Sequence, residues 1–361
     1  MSDASDVRAM LVESATRLFA DHVDTKLLDA AKRDGWSPEL WRIVAKAQLP
    51  LVSIAEEAGG AGGSLSDLAA VLRIAGRYAS PIPLAETALA GWMLASCGLP
   101  IESGPLACGP VHGETVTAKL HGTQWSLSGS MRRVPWARIA HRLVVLVSSP
   151  TGAMVACVDP KRCKVSPGRN LAGEPRDDVV LDDVVVAGNL VAPAAPGVDH
   201  AALKLRGALA RSLLMAGALE RALELAVRYS TERVQFGRKI GQFQAIQQEL
   251  ARFAGEVAAA VAAALSAAGA LERGADPLLA VASAKIRTAQ AAHEGALIAH
   301  QVHGAIGVTD EYALHHSTLR LWAWREEFGN EADWAVALGR IMHARGTDAL
   351  WSGLTENQEG S

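Results

Sequence analysis

Residues 233–244 read Arg-Val-Gln-Phe-Gly-Arg-Lys-Ile-Gly-Gln-Phe-Gln, a string that ends one long helical pattern and begins the next. Three cations, Arg233, Arg238 and Lys239, fall near a helix end beside the turn residue Gly237. Cations at a helix C-terminus complement the macrodipole. The same side chains suit an anion site, in which a guanidinium grips a diphosphate through two bonds and Phe236 stacks on an aromatic ring. The residues alone leave these two readings even. Downstream, Phe243, Ile246, Leu250, Phe253, Val257, Val261 and Leu265 recur at spacings of three and four, which predicts one face of a long helix. Gly274-Ala275-Asp276-Pro277 breaks it, with Asp276 as N-cap and Pro277 opening the next helix. That helix runs into Gln301-Val-His-Gly-Ala-Ile-Gly-Val-Thr-Asp-Glu-Tyr312, where Gly304 and Gly307 allow positive φ and let backbone N–H groups face a phosphate. A plain helix C-cap explains Gly304 equally well. Long helices joined by short loops over 199–347 predict a four-helix bundle, followed by a polar tail over 348–361.

The chain before this region changes texture twice. Over 103–192, VTAKLHG, QWSLSG, RLVVLVSS, AMVACVD, KVSP and DVVLDDVVV are short β-branched runs separated by Gly, Pro, Asn and Asp. Six such runs predict a small β-sandwich or barrel. Residues 1–102 read as a helical domain. Ser37-Pro38 is an N-cap with proline at the first helical position, and Ser64 or Ser66 caps a second helix. The glycine-rich Gly59–Ser64 between them reads as a flexible connector, since no phosphate-loop pattern surrounds it. The expected class is therefore mainly α with a middle β-domain.

Half of the 361 residues are hydrophobic, 20% are charged and the formal net charge is −3. A sizeable core is expected, and a dedicated nucleic-acid or polybasic membrane binder is not. Cys97, Cys108, Cys157 and Cys163 lack zinc spacing, and the opening MSDASDVRAMLVESATRLFA is a charged amphipathic helix. These features point to a reduced, cytoplasmic protein with no metal and no membrane span. His303 and the pair His315-His316 carry no second ligand set at metal spacing.

RVQFGRKIGQFQ and QVHGAIGVTDEY together resemble the C-terminal half of the acyl-CoA dehydrogenase family. EEAGGAGGSLSDLAAVLRIAGR resembles its N-terminal stretch, and VVLDDVVVAGNLV the strand that leaves its β-domain. The family's order of helical domain, β-domain and four-helix bundle matches the three textures. The resemblance implies FAD as cofactor, a coenzyme A thioester as substrate, and α,β-dehydrogenation in which a carboxylate removes the α-proton and hydride leaves the β-carbon. It implies that Arg233, Phe236, Gln244, Gln301 and Gly304, with Asn330, hold the cofactor across a subunit interface. A dimer or tetramer, or a homologous partner subunit, is then required, with an electron-transfer flavoprotein as the usual acceptor.

The chain departs from the family where the chemistry occurs. The usual catalytic glutamate position falls on Phe328, in Arg-Glu-Glu-Phe-Gly-Asn-Glu. Glu327 and then Glu326 are the nearest candidate bases, with Glu331 in the same string, although one helical residue is about 100° of rotation. A solvated acidic run is the plainer reading of all three. The alternative base position, on the bundle's first helix, falls near Gly207, and Glu220 and Glu224 further along read as a surface ion-pair arrangement with Arg221. In the β-domain, where the family has a flavin-covering Trp and a hydroxyl, this chain has Arg132-Arg133-Val134-Pro135-Trp136, with the Trp shifted by about three residues and Pro135 at the hydroxyl position. The flavin loop is replaced by Leu106-Ala107-Cys108-Gly109-Pro110. Trp136 reads as a ring cover or as core packing. These departures predict either a self-sufficient dehydrogenase with a relocated base or one subunit of a heteromeric enzyme of the steroid-side-chain type. The alternative is a degenerate subunit or scaffold that only completes a partner's FAD site.

Overall fold

The computed structural model describes residues 2–274 and 277–346. Asp276 and the tail from 348, both given roles above, lie outside the described residues. The chain divides into two compact units, residues 1–207 and 208–361.

The first unit opens with helices α1 (Ser2–His22), α2 (Thr25–Asp34), α3 (Pro38–Lys46), α4 (Leu65–Arg77) and α5 (Leu84–Ser96). Ser37 caps α3 by accepting from Leu40 N at 3.3 Å, with Pro38 at the first position. Ser64, rather than Ser66, caps α4, in a reciprocal capping box with Asp67. Arg8 of α1 donates to Asp67 Oδ1 at 2.7 Å and so ties the N-terminal helix to that cap. The Gly59–Ser64 segment is a packed turn and not a flexible connector. A Cβ on Gly60 would lie 2.1 Å from Ile54 O, so only glycine permits the approach.

Eight strands follow: β1 (Leu106–Gly109), β2 (Val116–His121), β3 (Gln124–Pro135), β4 (Arg142–Ser149), β5 (Gly152–Val158), β6 (Lys164–Ser166), β7 (Arg176–Ala187) and β8 (Val191–Pro193). The six predicted runs are β2 to β7. Their order is β6-β7-β3-β2-β4-β5-β8, with β1 parallel to β4. Inward positions alternate along each strand, and Val116, Leu127, Val145, Ala156 and Val184 from five of them share one apolar core. The helical and β segments expected at 1–102 and 103–192 lie together in the first unit. The physical reason lies in the joint: α5 is buried along most of its length and runs against β1, where Thr87 Oγ1 accepts from Leu106 N at 3.0 Å.

Helix α6 (His200–Glu232) crosses the boundary between units, which therefore lies inside a helix. The second unit continues with a two-strand hairpin, β9 (Val234–Gln235) and β10 (Arg238–Lys239), then α7 (Gln244–Glu272), α8 (Pro277–His303), α9 (Leu314–Arg325) and α10 (Glu331–Arg345). The buried face of α7 is Phe253, Val257, Ala260, Ala264 and Ala267, while Leu265 is 39% exposed. The predicted face fails after Val257 because two successive steps of four each overshoot a turn by about 40°. Alanine replaces larger residues along the true seam, and α7 packs closely against α8. By length and composition α7 alone among the described helices could cross a membrane, and only a third of its apolar window is buried.

Candidate functional site

The hairpin is built by its own turn chemistry. Phe236 (φ +52°) and Gly237 (φ +78°) occupy the two central positions, both left-handed, as the twist of a two-residue hairpin demands. Lys239 pairs with Val234, and Ile240 N donates to Arg233 O at 2.9 Å. The turn therefore displays Phe236, which is 91% exposed and meets Phe243 edge-on at 6.2 Å. Arg238 lies over the Phe243 ring at 4.1 Å. Arg233, Arg238 and Lys239 are exposed and form no ion pair among the described residues. Gln244, exposed, is the first residue of α7.

The second string is brought beside the first. Tyr229, one turn before Arg233, stacks on His303 at 4.7 Å, and Tyr312 tilts over the same imidazole at 4.7 Å. The C-terminal ends of α6 and α8 therefore adjoin. Exposed Gln301 and Gly304, whose φ is +63°, sit at the α8 end. His303 Nδ1 lies 2.7 Å from Ala299 O; since a carbonyl only accepts, Nδ1 carries the hydrogen. Burial holds this imidazole below its ordinary pKa, so it is neutral at pH 7. His303 Nε2 and Tyr312 Oη are both buried without a hydrogen-bond partner among the described residues. Unpaired cations, a ring in water and the left-handed Gly304 fit a nucleotide diphosphate better than they fit a finished surface.

The turn after α9 behaves differently. Lys285 of α8 is fully buried and donates to Trp324 O at 2.8 Å and Arg325 O at 2.9 Å, capping the helix. Burial pushes its pKa down to about 7, against the partial support of Glu327. Glu327, the first candidate base, accepts from Arg211 Nε at 2.6 Å in a pair whose members are 9% or less exposed. Arg211 also lies over the Phe328 ring at 5.4 Å. Phe328 is 3% exposed, in left-handed conformation at φ +55°, and its carbonyl accepts from Trp334 Nε1 at 3.0 Å. Glu326 is exposed and accepts from Asn330 Nδ2 at 3.4 Å. Glu331 pairs with Arg325. Asn330, expected at the cofactor, is the N-cap of α10, in a capping box with Asp333. Of the predicted carboxylates, Glu327 is consumed by a buried ion pair, Glu331 is paired with Arg325, and Glu326 faces water. Arg211, Lys285 and Trp334 were missed by the sequence reading, and an arginine in an otherwise apolar stretch of helix was the only signal for the first.

Gly207 is buried in α6 and provides no acid or base. Arg221 pairs with Glu224 at 3.5 Å on the surface, as expected. Trp136 is 2% exposed, with Arg176 at 5.8 Å from its ring, so it packs in the core and covers no open surface.

Comparisons place this geometry. The model of the acyl-CoA dehydrogenase C-terminal domain matches residues 205–330, and that of the N-terminal domain matches 5–100. Acyl-CoA dehydrogenase IpdE2 of Mycobacterium tuberculosis is 30% identical over 312 residues, covering 85% of this chain and 88% of the relative. Acyl-CoA dehydrogenase FadE27 of the same organism is 28% identical over 307 residues, 77% and 80% of the two chains. Among solved structures, the Tcur3481-Tcur3483 steroid ACAD G363A variant superposes with a TM-score of 0.84 at 27% identity, over 94% of this chain and 99% of the other. The ChsE4-ChsE5 complex from Mycobacterium tuberculosis has the same fold, with a TM-score of 0.84 at 23% identity, over 94% and 97%.

Proposed function

The chain belongs to the acyl-CoA dehydrogenase family, and on that premise we propose that it works as one subunit of a heteromeric, FAD-dependent acyl-CoA dehydrogenase. The observation that carries this reading is the contrast within the second unit: cofactor-gripping groups stand free, and the base position holds Phe328 beside a committed Glu327.

Arg233 and Arg238 bind the diphosphate, since a guanidinium offers paired N–H donors to phosphate oxygens. Phe236 lies flat on a ring of the nucleotide. Gln244 and Gln301 donate amide hydrogens, and the left-handed turn at Gly304 aims backbone N–H groups at phosphate. Bound FAD supplies a hydride acceptor for the β-carbon of the acyl thioester. Removal of the α-proton falls to a carboxylate of the homologous partner, because Phe328 cannot take a proton. When that proton and the β-hydride have left, the Cα–Cβ double bond is formed. Arg211, Glu327 and Lys285 hold the 324–329 turn rigid instead of reacting. The exposed alanine-rich face of α7 offers a close-packing surface to a neighbouring chain. The steroid acyl-CoA dehydrogenase among the similar structures supports a bulky, steroid-type acyl group; a flavoprotein electron acceptor and a cytoplasmic setting are carried over from the family resemblance alone.

The test is purification of the chain alone and together with a homologous partner, with flavin content measured first and turnover of CoA thioesters second. The chain alone is expected to be flavin-poor and inactive, and the pair flavin-loaded and active. Full flavin and turnover in the single chain overturns the proposal.

A further inference from the structure

A cavity of about 680 Å³ opens within the first unit, where β4 begins and β5 ends, and none of the residues assigned above to cofactor or thioester lines it. Its volume is that of a small-organic-ligand site. Arg138, His141, Arg142 and Lys161 all line it, against a single acid, Asp159. That acid is already engaged, with Oδ1 accepting from Lys161 N at 3.0 Å.

The two guanidinium groups are held from behind. Arg138 Nε donates to Asp177 Oδ1 at 2.8 Å, and Asp177 is completely buried. Arg142 Nε donates to Glu102 Oε1 at 2.9 Å, and Arg142 Nη2 lies 2.8 Å from Glu102 Oε2. The hydrogen bond from Arg142 keeps the Glu102 carboxyl below the usual carboxylate range, so the clamp stays charged at neutral pH. Both pairs use Nε and Nη2. Nη1 of either arginine has no hydrogen-bond partner among the described residues, and the Lys161 ammonium is exposed and unpaired among them. Carboxylates that fix a guanidinium without consuming all its donors pre-organise it for another oxyanion. Half-buried Trp36 supplies a flat apolar wall to the same cavity.

We propose that this cavity binds a planar organic anion, with a phosphate or carboxylate group held by Arg138, Arg142 and Lys161 and a ring laid on Trp36. None of the residues proposed above to hold the flavin lines this site.

Cys163, half-buried in the cavity wall, reports occupancy directly. Burial pushes its thiol up to about 11, so alkylation by iodoacetamide is slow and easily timed. Half-buried Cys97, which does not line the cavity, is the internal control. The experiment follows alkylation of each cysteine in the full chain by peptide mass spectrometry, with AMP, 2-naphthoate, adenosine or inorganic phosphate added. AMP or 2-naphthoate is expected to slow Cys163 by about fivefold or more at saturation and to leave Cys97 unchanged. Which of the two protects at lower concentration tells phosphate from carboxylate. Adenosine is expected to do nothing. Lys161→Gln, a change at an exposed position, is expected to raise the protecting concentration about tenfold, as loss of one charge-assisted contact does. Absence of protection by both ring anions, equal protection by adenosine, or unchanged protection in Lys161→Gln overturns the proposal.

Discussion

Phe236 and Phe328 share a backbone conformation and little else. Each is a left-handed phenylalanine, at φ +52° and +55°, followed by a left-handed glycine, Gly237 or Gly329. One is 91% exposed on a hairpin whose cations lack carboxylate partners among the described residues. The other is 3% exposed under a buried arginine whose partner is 2.6 Å away. The same dipeptide thus ends as a displayed ring in one place and as a sealed plug in the other. The difference is made by what the rest of the chain brings to it. Free groups mark where this protein meets something else, and satisfied groups mark where it has finished with itself.

The contrast breaks most severely at the plug. Arg211→Ala leaves the Glu327 carboxylate buried without its partner and is expected to cost about 3–5 kcal/mol of stability, read from chemical denaturation. Glu327→Gln separates the two roles argued for that residue. A structural residue loses stability with turnover of the assembled pair intact, whereas a base loses turnover with stability intact. At the hairpin the pattern reverses. Arg233→Ala and Phe236→Ala are expected to lower flavin content of the assembled enzyme about tenfold or more. Because both side chains are exposed, stability of the isolated chain is expected to stay within about 0.5 kcal/mol.

A pH titration sharpens the comparison further. Lys285 has a pKa of about 7 in the folded chain, and a free lysine titrates near 10.4. Between those values the unfolded chain holds the extra proton, so this residue makes stability rise as pH increases from about 7 to about 10. Lys285→Met is expected to flatten that slope in melting temperatures measured across the range. The smallest effect lies in the first unit, where Ser64→Ala removes the α4 cap at a cost of about 1 kcal/mol.

Local chemistry made much of this visible beforehand. Ser37-Pro38, the β-branched runs of β2 to β7 and the turn at Gly237 each depend on residues close in sequence, although the two-strand hairpin around that turn was not foreseen. The Arg211–Glu327 pair spans 116 positions, and no periodicity marks it. Glu327 therefore read as one more acid in a charged run. The buried seam of α7 was misjudged beyond Val257 because alanine carries too weak a hydrophobic signal to outrank leucine, although its small size is what lets α7 and α8 come close. The division into units was also hidden, since α6 passes through the boundary without a break.

The hairpin carries one last consequence. A side chain held so far out in water has nothing of its own to rest on, and the positive charges around it repel one another until an outside polyanion arrives. On the proposed reading, loading the nucleotide and joining the second polypeptide are then a single event, each acting as the glue for the other. Dilution would strip both together, and the yellow colour of a preparation would count its intact assemblies.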